Sequence, residues 1–261
     1  MWAVLFAGLK MINFNNLVSI KKMNNLNEIN KADTFYAGNK IIQEVVLKGN
    51  RKIIAERLKD SYQNKVHATM YRYMEIEKLK EFKEKTQKGS IIDHFIRAIA
   101  LSLKEKSELN STFENDIYRI YENIDICYAV NSKRGLVTPV LRNADLLSLD
   151  EFLNEKNRMI NLVLEWKHQL KDIMGGTFTI TNMGNFGVDF TLPIINPPQV
   201  AILGISRICR LNISWDDNPP KTRLLMPISI TYDHSVIDGV GVAQFAQILQ
   251  DKINAPETLW N

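Results

Sequence analysis

The sequence has little cysteine, with only Cys127 and Cys209 among its 261 residues. They lie in the apolar runs IDICYAV and SRICRLN, without the paired spacing of a metal site. This argues against a disulfide framework. No cluster of histidine, cysteine and aspartate in the sequence has metal-ligand spacing either, so we expect no metal. Each thiol is interpreted as a small core residue. A reducing compartment is expected, the cytoplasm or, in a eukaryote, the mitochondrial matrix.

The sequence also lacks a strong charge of either sign. Its 33 basic residues against 29 acidic ones give a formal net charge of +4. The two signs are interleaved, so no basic stripe follows a nucleic-acid backbone and no nucleic-acid partner is expected. A small positive excess still suits an anionic small molecule such as a phosphorylated cofactor.

A third absence is a long apolar run. The N-terminal stretch MWAVLFAGL has nine apolar or small residues. It is too short to span a bilayer, and it lacks the basic residues that precede a secretory signal. It fits a hydrophobic anchor onto the body of the protein or a mis-set start site, with a weak secretion signal as the third option. No other segment is apolar enough to cross a membrane, and no membrane partner is expected.

Two regions differ in pattern. Residues 1–43 are interpreted as an N-terminal arm, extended or partly ordered, because residues 11–40 are polar and rich in asparagine without a sustained period. The remainder contains no internal repeat and no linker rich in proline or serine, which predicts one continuous domain over 44–261.

Within that domain, helical and strand patterns alternate. Ile54, Leu58 and Tyr62 stand four apart and predict one apolar face of a helix over 49–64. A long helix is predicted over 148–172, opened by a capping box of Ser148 and Glu151. The last third of the sequence contains short β-branched runs separated by glycine and proline, a pattern that predicts strands. The sequence therefore predicts an α/β sandwich with helices packed on a mixed sheet.

The four histidines occupy different contexts. His67 lies on a predicted half-buried strand and is interpreted as structural. His94 is expected to face out of, or to cap, a helix that begins near Ser90. His168 lies in the polar tail of the long helix. Only His234 follows an apolar strand and precedes a turn containing glycine, so we expect the core to fix its position.

The stretch ITYDHSVIDGVGV, residues 230–242, places Asp238 four residues after His234. The histidine is either a catalytic base or a buried histidine satisfied by a carboxylate, and the spacing alone favours the second. Asp238 also fits a helix N-cap, a role that is compatible with function. The sequence has no GxSxG motif, and GVGVA lacks the spacing of a dinucleotide fingerprint.

A second distinctive stretch is GGTFTITNMGNFGV, residues 175–188. Its period of two places Thr177, Thr179 and Thr181 on one face of a strand. From the pattern alone, this is an edge strand that carries threonines.

These pieces belong to a set of five motifs in a fixed order. The five are RKIIAERLKDS, RGLVTPVLRNAD, GGTFTITNMGNFG, IINPPQVAILGISRI and DHSVIDG. Together they resemble the catalytic domain of the dihydrolipoamide acyltransferase component of 2-oxo-acid dehydrogenase complexes. That family is similar in fold and mechanism to chloramphenicol acetyltransferase. The resemblance covers roughly residues 44–254 and implies a chloramphenicol acetyltransferase-like two-layer sandwich.

The resemblance also implies a reaction, the transfer of an acyl group between coenzyme A and a dihydrolipoyl thiol. In it, His234 is the general base and the hydroxyl of Thr181, where the family commonly has serine, stabilises the tetrahedral oxyanion. Asp238 is implied to form a structural ion pair with Arg51, with Arg57 as the second choice.

Further expectations concern ligands and partners. Arg207 and Lys133 are candidate contacts for the phosphates of coenzyme A, chosen from charge alone. The relatives place the active site between the subunits of a homotrimer, which can build a larger core. Family members usually carry lipoyl and peripheral-subunit-binding domains, and this sequence shows neither. It is therefore either a bare catalytic core or one served by a lipoyl group in trans, on another chain.

One departure from the family pattern keeps an alternative open. Ser235 stands where the pattern Asp-His-Arg-x-x-Asp-Gly has arginine, and the chloramphenicol branch tolerates serine there. The alternative enzyme is a coenzyme A-dependent acetyltransferase acting on a small hydroxyl or amine compound. A third possibility is a catalytically quiet scaffold of a dehydrogenase complex.

Overall fold

A computed structural model of the chain describes residues 42–43, 45–132, 135–214 and 219–260. Residues Leu47–Asn261 form one compact unit. The predicted arm, 1–43, lies almost entirely outside the described residues. No helix in the described ranges is long and apolar enough to cross a bilayer.

The unit contains six α-helices in its described residues. They are α1 Gly49–Asn64, α2 Glu77–Thr86, α3 Ile91–Glu105, α4 Leu149–Leu164, α5 Leu170–Ile173 and α6 Gly239–Asn254. Its strands are β1 His67–Glu75, β2 Ser111–Glu114, β3 Ile117–Ile120, β4 Ile126–Tyr128, β5 Val130–Ser132, β6 Gly135–Val137, β7 Val140–Leu141, β8 Phe178–Asn182, β9 Ala201–Ile205, β10 Cys209–Ile213 and β11 Lys221–Asp233. Short 3-10 turns cover Ser107–Leu109, Gly184–Phe186 and Pro256–Thr258.

The main sheet has seven strands in the order β1-β11-β9-β8-β4-β7, and β10 also pairs with β11. Strand β8 runs parallel to β9 and to β4, whereas the other pairs are antiparallel. The prediction of a mixed sheet with packed helices is therefore confirmed. Two hairpins, β2–β3 and β5–β6, lie outside the main sheet.

The core lies on one face of this sheet. Ile228 and Ile230 of β11 pack there with Phe95 of α3 and Phe245 of α6, and all four are at most 1% exposed. Because side chains alternate along a strand, the residues between them point to the other face. That second face carries the site.

Helix boundaries follow local chemistry. The capping box predicted for α4 is present, since Ser148 Oγ accepts from the amide of Glu151. The helix ends at Leu164, however, so the predicted continuation through residue 172 was wrong. Trp166 has a left-handed φ of 58°, a conformation that an α-helix cannot include. His168 consequently lies beyond the helix and not in its tail.

The expectation that His94 faces out of α3 or caps it was wrong. Ser90 caps the helix, whereas His94 is fully buried. Trp260 Nε1 donates to its Nδ1 at 3.0 Å, which leaves the proton on Nε2, 3.1 Å from the carbonyl of Lys88. Burial lowers the pKa of His94. A structural role for His67 is supported by its contacts, because its ring accepts from the amide of Ile195 at 3.2 Å.

The threonine strand is not an edge strand, contrary to the expectation from its pattern. Strand β8 has parallel neighbours on both sides. The edge interpretation came from polar side chains, but Thr177 and Thr179 are paired with other buried polar groups. The hairpin β2–β3 was missed, although Asn115 and Asp116 at its turn have φ of 52° and 59°, as a tight hairpin requires.

Candidate active site

Thr181 lines a cavity of about 670 Å³ on the face of the sheet opposite the core. Helix α1, the hairpin β5–β6 and the segment 191–197 also contribute to its wall. Apolar residues dominate this wall, and no aspartate or glutamate among the described residues lines it. Such a cavity suits a flexible, uncharged chain with a few fixed polar contacts.

The three threonines of this strand region differ in their hydrogen bonds. Thr177 donates to Asn110 Oδ1 at 2.5 Å, and Thr179 donates to Gln199 Oε1 at the same distance. Both are buried. Thr181 is half-buried, and its hydroxyl has no hydrogen-bond partner in the described part of the chain. It is therefore the one hydroxyl of the three that can donate to a ligand in the cavity.

Segment 191–197 is held close to the sheet by a glycine. A β-carbon at Gly204 would collide with Thr191 Oγ1 and lie 2.6 Å from Ser229 Oγ. Those two hydroxyls are hydrogen-bonded to each other at 3.0 Å. Gly204 is also the register partner of Thr181 on β8. The glycine thus allows the cavity wall to approach the strand that carries Thr181.

His234 follows the last residue of β11, and its side chain is exposed. Its amide donates to the carbonyl of Val66 at 2.7 Å, next to the start of β1. The imidazole makes no hydrogen bond within the described residues, and its ring lies 5.4 Å from that of Tyr232. The alternative of a buried, satisfied histidine therefore does not hold in the single chain.

Asp233 is a residue that sequence reasoning left without a role. Its side chain is fully buried and pairs with Lys65 at 3.3 Å. It also accepts from Ser235 Oγ at 2.6 Å and from the amides of Val66 and Ser235, both at 3.2 Å. Burial alone would raise the pKa of Asp233, but the hydrogen bonds from Ser235, the charge of Lys65 and the amide of Val66 together hold it below its ordinary value.

Thr181 and His234 do not meet within one chain. Thr181 is in register with Gly204 of β9, which is in register with Ser229 of β11. His234 lies five residues further along the chain, directly after the end of β11, so the two side chains are separated by two strand spacings and by about 16 Å along the strand direction. A single chain brings neither residue to the other.

The predicted ion pair of Asp238 is not formed within the described residues of the chain. Asp238 occupies the N-cap position of α6 without a side-chain capping bond, and both it and Arg51 are exposed. Arg57 donates to the carbonyl of Pro197 at 2.8 Å, and so holds the cavity wall instead. The loop that carries His234 is fixed through Asp233.

The two predicted phosphate contacts have different outcomes. Arg207 is exposed and forms a bidentate ion pair with Asp189, whose hydrogen bond raises the pKa of the guanidinium. Its charge is thus largely balanced within the chain. Lys133 lies outside the described residues.

No metal centre was expected, and no cluster of three or more histidine, cysteine, aspartate or glutamate side chains occurs among the described residues. Both cysteines are free thiols. Burial raises the pKa of Cys127, which favours the interpretation of a core residue over that of a nucleophile.

The family model described as 2-oxoacid dehydrogenases acyltransferase (catalytic domain) matches residues 39–260. The chain belongs to this family. A curated relative, the dihydrolipoyllysine-residue succinyltransferase component of the 2-oxoglutarate dehydrogenase complex of Buchnera aphidicola subsp. Baizongia pistaciae, is 35% identical over 236 residues. The match covers 84% of this chain and 56% of the relative. The chain thus spans about half the length of the curated relatives it matches.

Solved structures of the family are also similar. The dihydrolipoamide acetyltransferase of Azotobacter vinelandii has a TM-score of 0.79 at 30% identity, covering 86% of this chain and 96% of that one. In that enzyme a serine, a histidine and an asparagine were investigated for their role in the catalytic mechanism. The cubic core of a pyruvate dehydrogenase multienzyme complex has the same TM-score and coverage at 29% identity.

A more distant likeness concerns the fold alone. Chloramphenicol acetyltransferase matches with a TM-score of 0.53 at 16% identity, covering 80% of this chain and 99% of that one. The expected chloramphenicol acetyltransferase-like sandwich is confirmed.

Proposed function

We propose that the protein transfers an acyl group between coenzyme A and a dihydrolipoyl thiol. The observation that carries the proposal is the hydroxyl of Thr181, which lies on the wall of an apolar cavity without a hydrogen-bond partner among the described residues, in a chain of this family. In the Azotobacter enzyme, a serine, a histidine and an asparagine four residues after that histidine were investigated for their role in catalysis. This chain has a hydroxyl at Thr181, an imidazole at His234 and a polar residue, Asp238, four residues after that histidine.

His234 acts as the general base. An imidazole can remove the proton of a thiol at neutral pH, where a free thiol is mostly protonated. As the proton leaves, the sulfur attacks the thioester carbonyl, a new carbon–sulfur bond forms, and the carbonyl oxygen becomes an oxyanion. Thr181 donates its hydrogen bond to that oxygen. The carbon–sulfur bond to the leaving thiol then breaks, and the imidazolium returns its proton to the departing sulfur.

The reaction requires two copies of the chain, because His234 and Thr181 are far apart in one copy. We propose a homotrimer with the site between subunits, as a unit of a larger core. Exposed apolar side chains on the cavity wall support this: Ile53 is 55% exposed, Leu136 51% and Leu192 74%. Clustered apolar surface of this kind marks an interface.

The acceptor is proposed to be a lipoyl group on another chain, and coenzyme A the second substrate. The hydroxyl of Ser235 donates a hydrogen bond to Asp233, which accounts for a serine at this position. The serine therefore no longer favours a small hydroxyl or amine acceptor. The reducing compartment, cytoplasm or mitochondrial matrix, remains part of the proposal and is supported by the two free thiols.

The test is thioester transfer from acetyl- and succinyl-coenzyme A to free dihydrolipoamide. His234→Ala should lose about 10²–10⁴-fold in kcat, the usual contribution of a general base. No transfer by a folded wild-type trimer from either donor would refute the proposal, and activity of a strictly monomeric sample would refute the shared site.

Complementation tests the shared site directly. His234→Ala and Thr181→Val should each have little activity alone, but mixed trimers contain interfaces with an intact histidine from one chain and an intact threonine from its neighbour. Unfolding and refolding an equal mixture should restore about a quarter of the wild-type sites, as random assembly of a cyclic trimer predicts. A mixture no more active than its parents would place both residues in the site of one chain.

A further inference from the structure

The structure assigns Lys65, Asp233 and Ser235 as a positioning set, called here the His234 anchor, which fixes His234 for proton transfer. The inference rests on the proposed function, in which His234 is the base. It concerns residues that do not touch the substrate but hold the backbone on both sides of the imidazole.

Asp233 is the centre of the anchor. One of its oxygens, Oδ1, accepts from the amide of Val66 and from the amide and hydroxyl of Ser235. It therefore joins the residue after His234 to the start of β1. The amide of His234 donates to the carbonyl of the same Val66. The backbone of residues 233–235 is thus bound to Val66, directly before β1, from both sides of the histidine.

Lys65 supplies the balancing charge for this carboxylate. Its ammonium lies 3.3 Å from Asp233 Oδ2 and 3.2 Å from the carbonyl of Phe113, and 5.8 Å from the centre of the Phe113 ring. The side chains of Lys65 and Asp233 are 6% and 0% exposed. A buried carboxylate that accepts three hydrogen bonds and also faces an ammonium is held in one position.

The anchor matters because no side-chain hydrogen bond within the described residues orients the imidazole of His234, whose ring otherwise lies 5.4 Å from that of Tyr232. The imidazole is exposed and lacks a hydrogen bond there, and the predicted support from Asp238 and Arg51 is not formed in the chain. A displacement of about 1 Å at a reacting group can cost about 10²-fold in rate, so a loosened backbone should lower kcat without weakening substrate binding.

The surroundings of Asp233 account for the serine at position 235, where this chain departs from the family pattern. Ser235 stands where the pattern has arginine, and the cation next to Asp233 is Lys65. Lys65 is the residue that follows helix α1. The short hydroxyl of Ser235 then fits over the carboxylate at 2.6 Å.

The experiment compares Lys65→Met with Lys65→Arg in steady-state transfer from acetyl-coenzyme A to dihydrolipoamide. The methionine variant should lose about ten- to a hundredfold in kcat while KM for acetyl-coenzyme A stays within about twofold, because only the base is misplaced. Arginine keeps the charge and should recover most of the loss. An unchanged kcat in Lys65→Met, or no recovery in Lys65→Arg, would overturn the inference.

Lys156→Met is the matched control. Lys156 pairs with Asp93, another buried carboxylate, on helices α4 and α3. Its loss should lower stability as the loss of Lys65 does, yet leave kcat unchanged. An equal fall in kcat in both variants would reduce the effect of Lys65 to general destabilisation and would overturn the inference.

Two further measurements keep the test decisive if Lys65→Met folds poorly. Ser235→Ala removes only one hydroxyl, from an exposed residue, and should still lower kcat at constant KM. Hydrogen exchange of the amide of His234 should speed up in Ser235→Ala and in Lys65→Met but not in Lys156→Met, a readout that needs no turnover. Unchanged exchange would overturn the anchor even if the wild-type protein transferred acyl groups. A wild type without transfer but with faster exchange in the variants would instead refute only the proposed function.

Discussion

The two faces of the central sheet differ in what their side chains do. On the core face, Ile228 and Ile230 of β11 pack against helices α3 and α6. On the other face, Ser229 pairs with Thr191 at 3.0 Å and Thr231 with Thr69 at 2.9 Å. One strand thus stabilises the fold through one set of residues and builds the cavity side through the alternate set. Substitutions on the two faces should therefore affect different measurements.

The largest effect on stability is expected on the core face. Ile230→Ala removes a side chain that is 1% exposed, and it should lower the free energy of unfolding by about 2–5 kcal/mol. Denaturant titration measures the loss. A smaller change would mean that neighbouring core side chains fill the space left by the isoleucine more easily than their close packing indicates.

On the other face, Thr181→Val should reduce activity while leaving the fold intact. Valine preserves the shape but cannot donate to the oxyanion, so kcat should fall by about 10²–10³-fold, or about 3–4 kcal/mol in the transition state. Thr181→Ser keeps the donor and should retain most of the activity. A valine variant as active as the wild type would remove Thr181 from the mechanism.

Thr179→Val is the matched substitution on the same strand and face, two residues away. The hydroxyl of Thr179 donates to Gln199, and its loss leaves a buried amide oxygen without that donor. The free energy of unfolding should fall by about 1–3 kcal/mol, with a smaller loss of kcat than in Thr181→Val. If both valine variants lost the same activity, the contrast between a paired and an unpaired hydroxyl would be wrong.

The smallest effect is expected for the pH dependence of the free energy of unfolding, through the buried His94. Burial lowers the pKa of His94 below its ordinary value of 6.5. The imidazole therefore takes up a proton at a lower pH in the folded protein than in the unfolded chain. The associated stability is complete above pH 6.5 and is lost as the pH falls toward the lower folded pKa. In His94→Gln, which retains a donor and an acceptor, the free energy of unfolding should fall less steeply over this range. Equal slopes would contradict the prediction.

Several features were predictable because they depend on neighbouring residues. The helix α1 over 49–64, the capping box of Ser148 and Glu151, and the mixed sheet follow from local pattern, and the structure confirms them. The order of five motifs placed the chain in its family. The position of Thr181 on one strand face with Thr177 and Thr179 also followed from the period of two.

Other features required the packed structure. Whether β8 is an edge strand depends on β4 and β9, which come from distant parts of the chain. The burial of His94 depends on Trp260, which is 166 residues away. A pattern in one segment contains no information about a partner in another, so sequence reasoning placed both wrongly.

The sequence by itself determined the family, the alternation of helices and strands, and the residue types available for chemistry. Only the tertiary structure decided which hydroxyl is free, because Thr179 is paired by Gln199 and Thr181 has no partner among the described residues. It also decided that Asp233 and Lys65, 168 residues apart, meet in a buried ion pair next to His234. Local backbone preference sets the elements, whereas burial and hydrogen bonding between distant segments set the environment of each side chain.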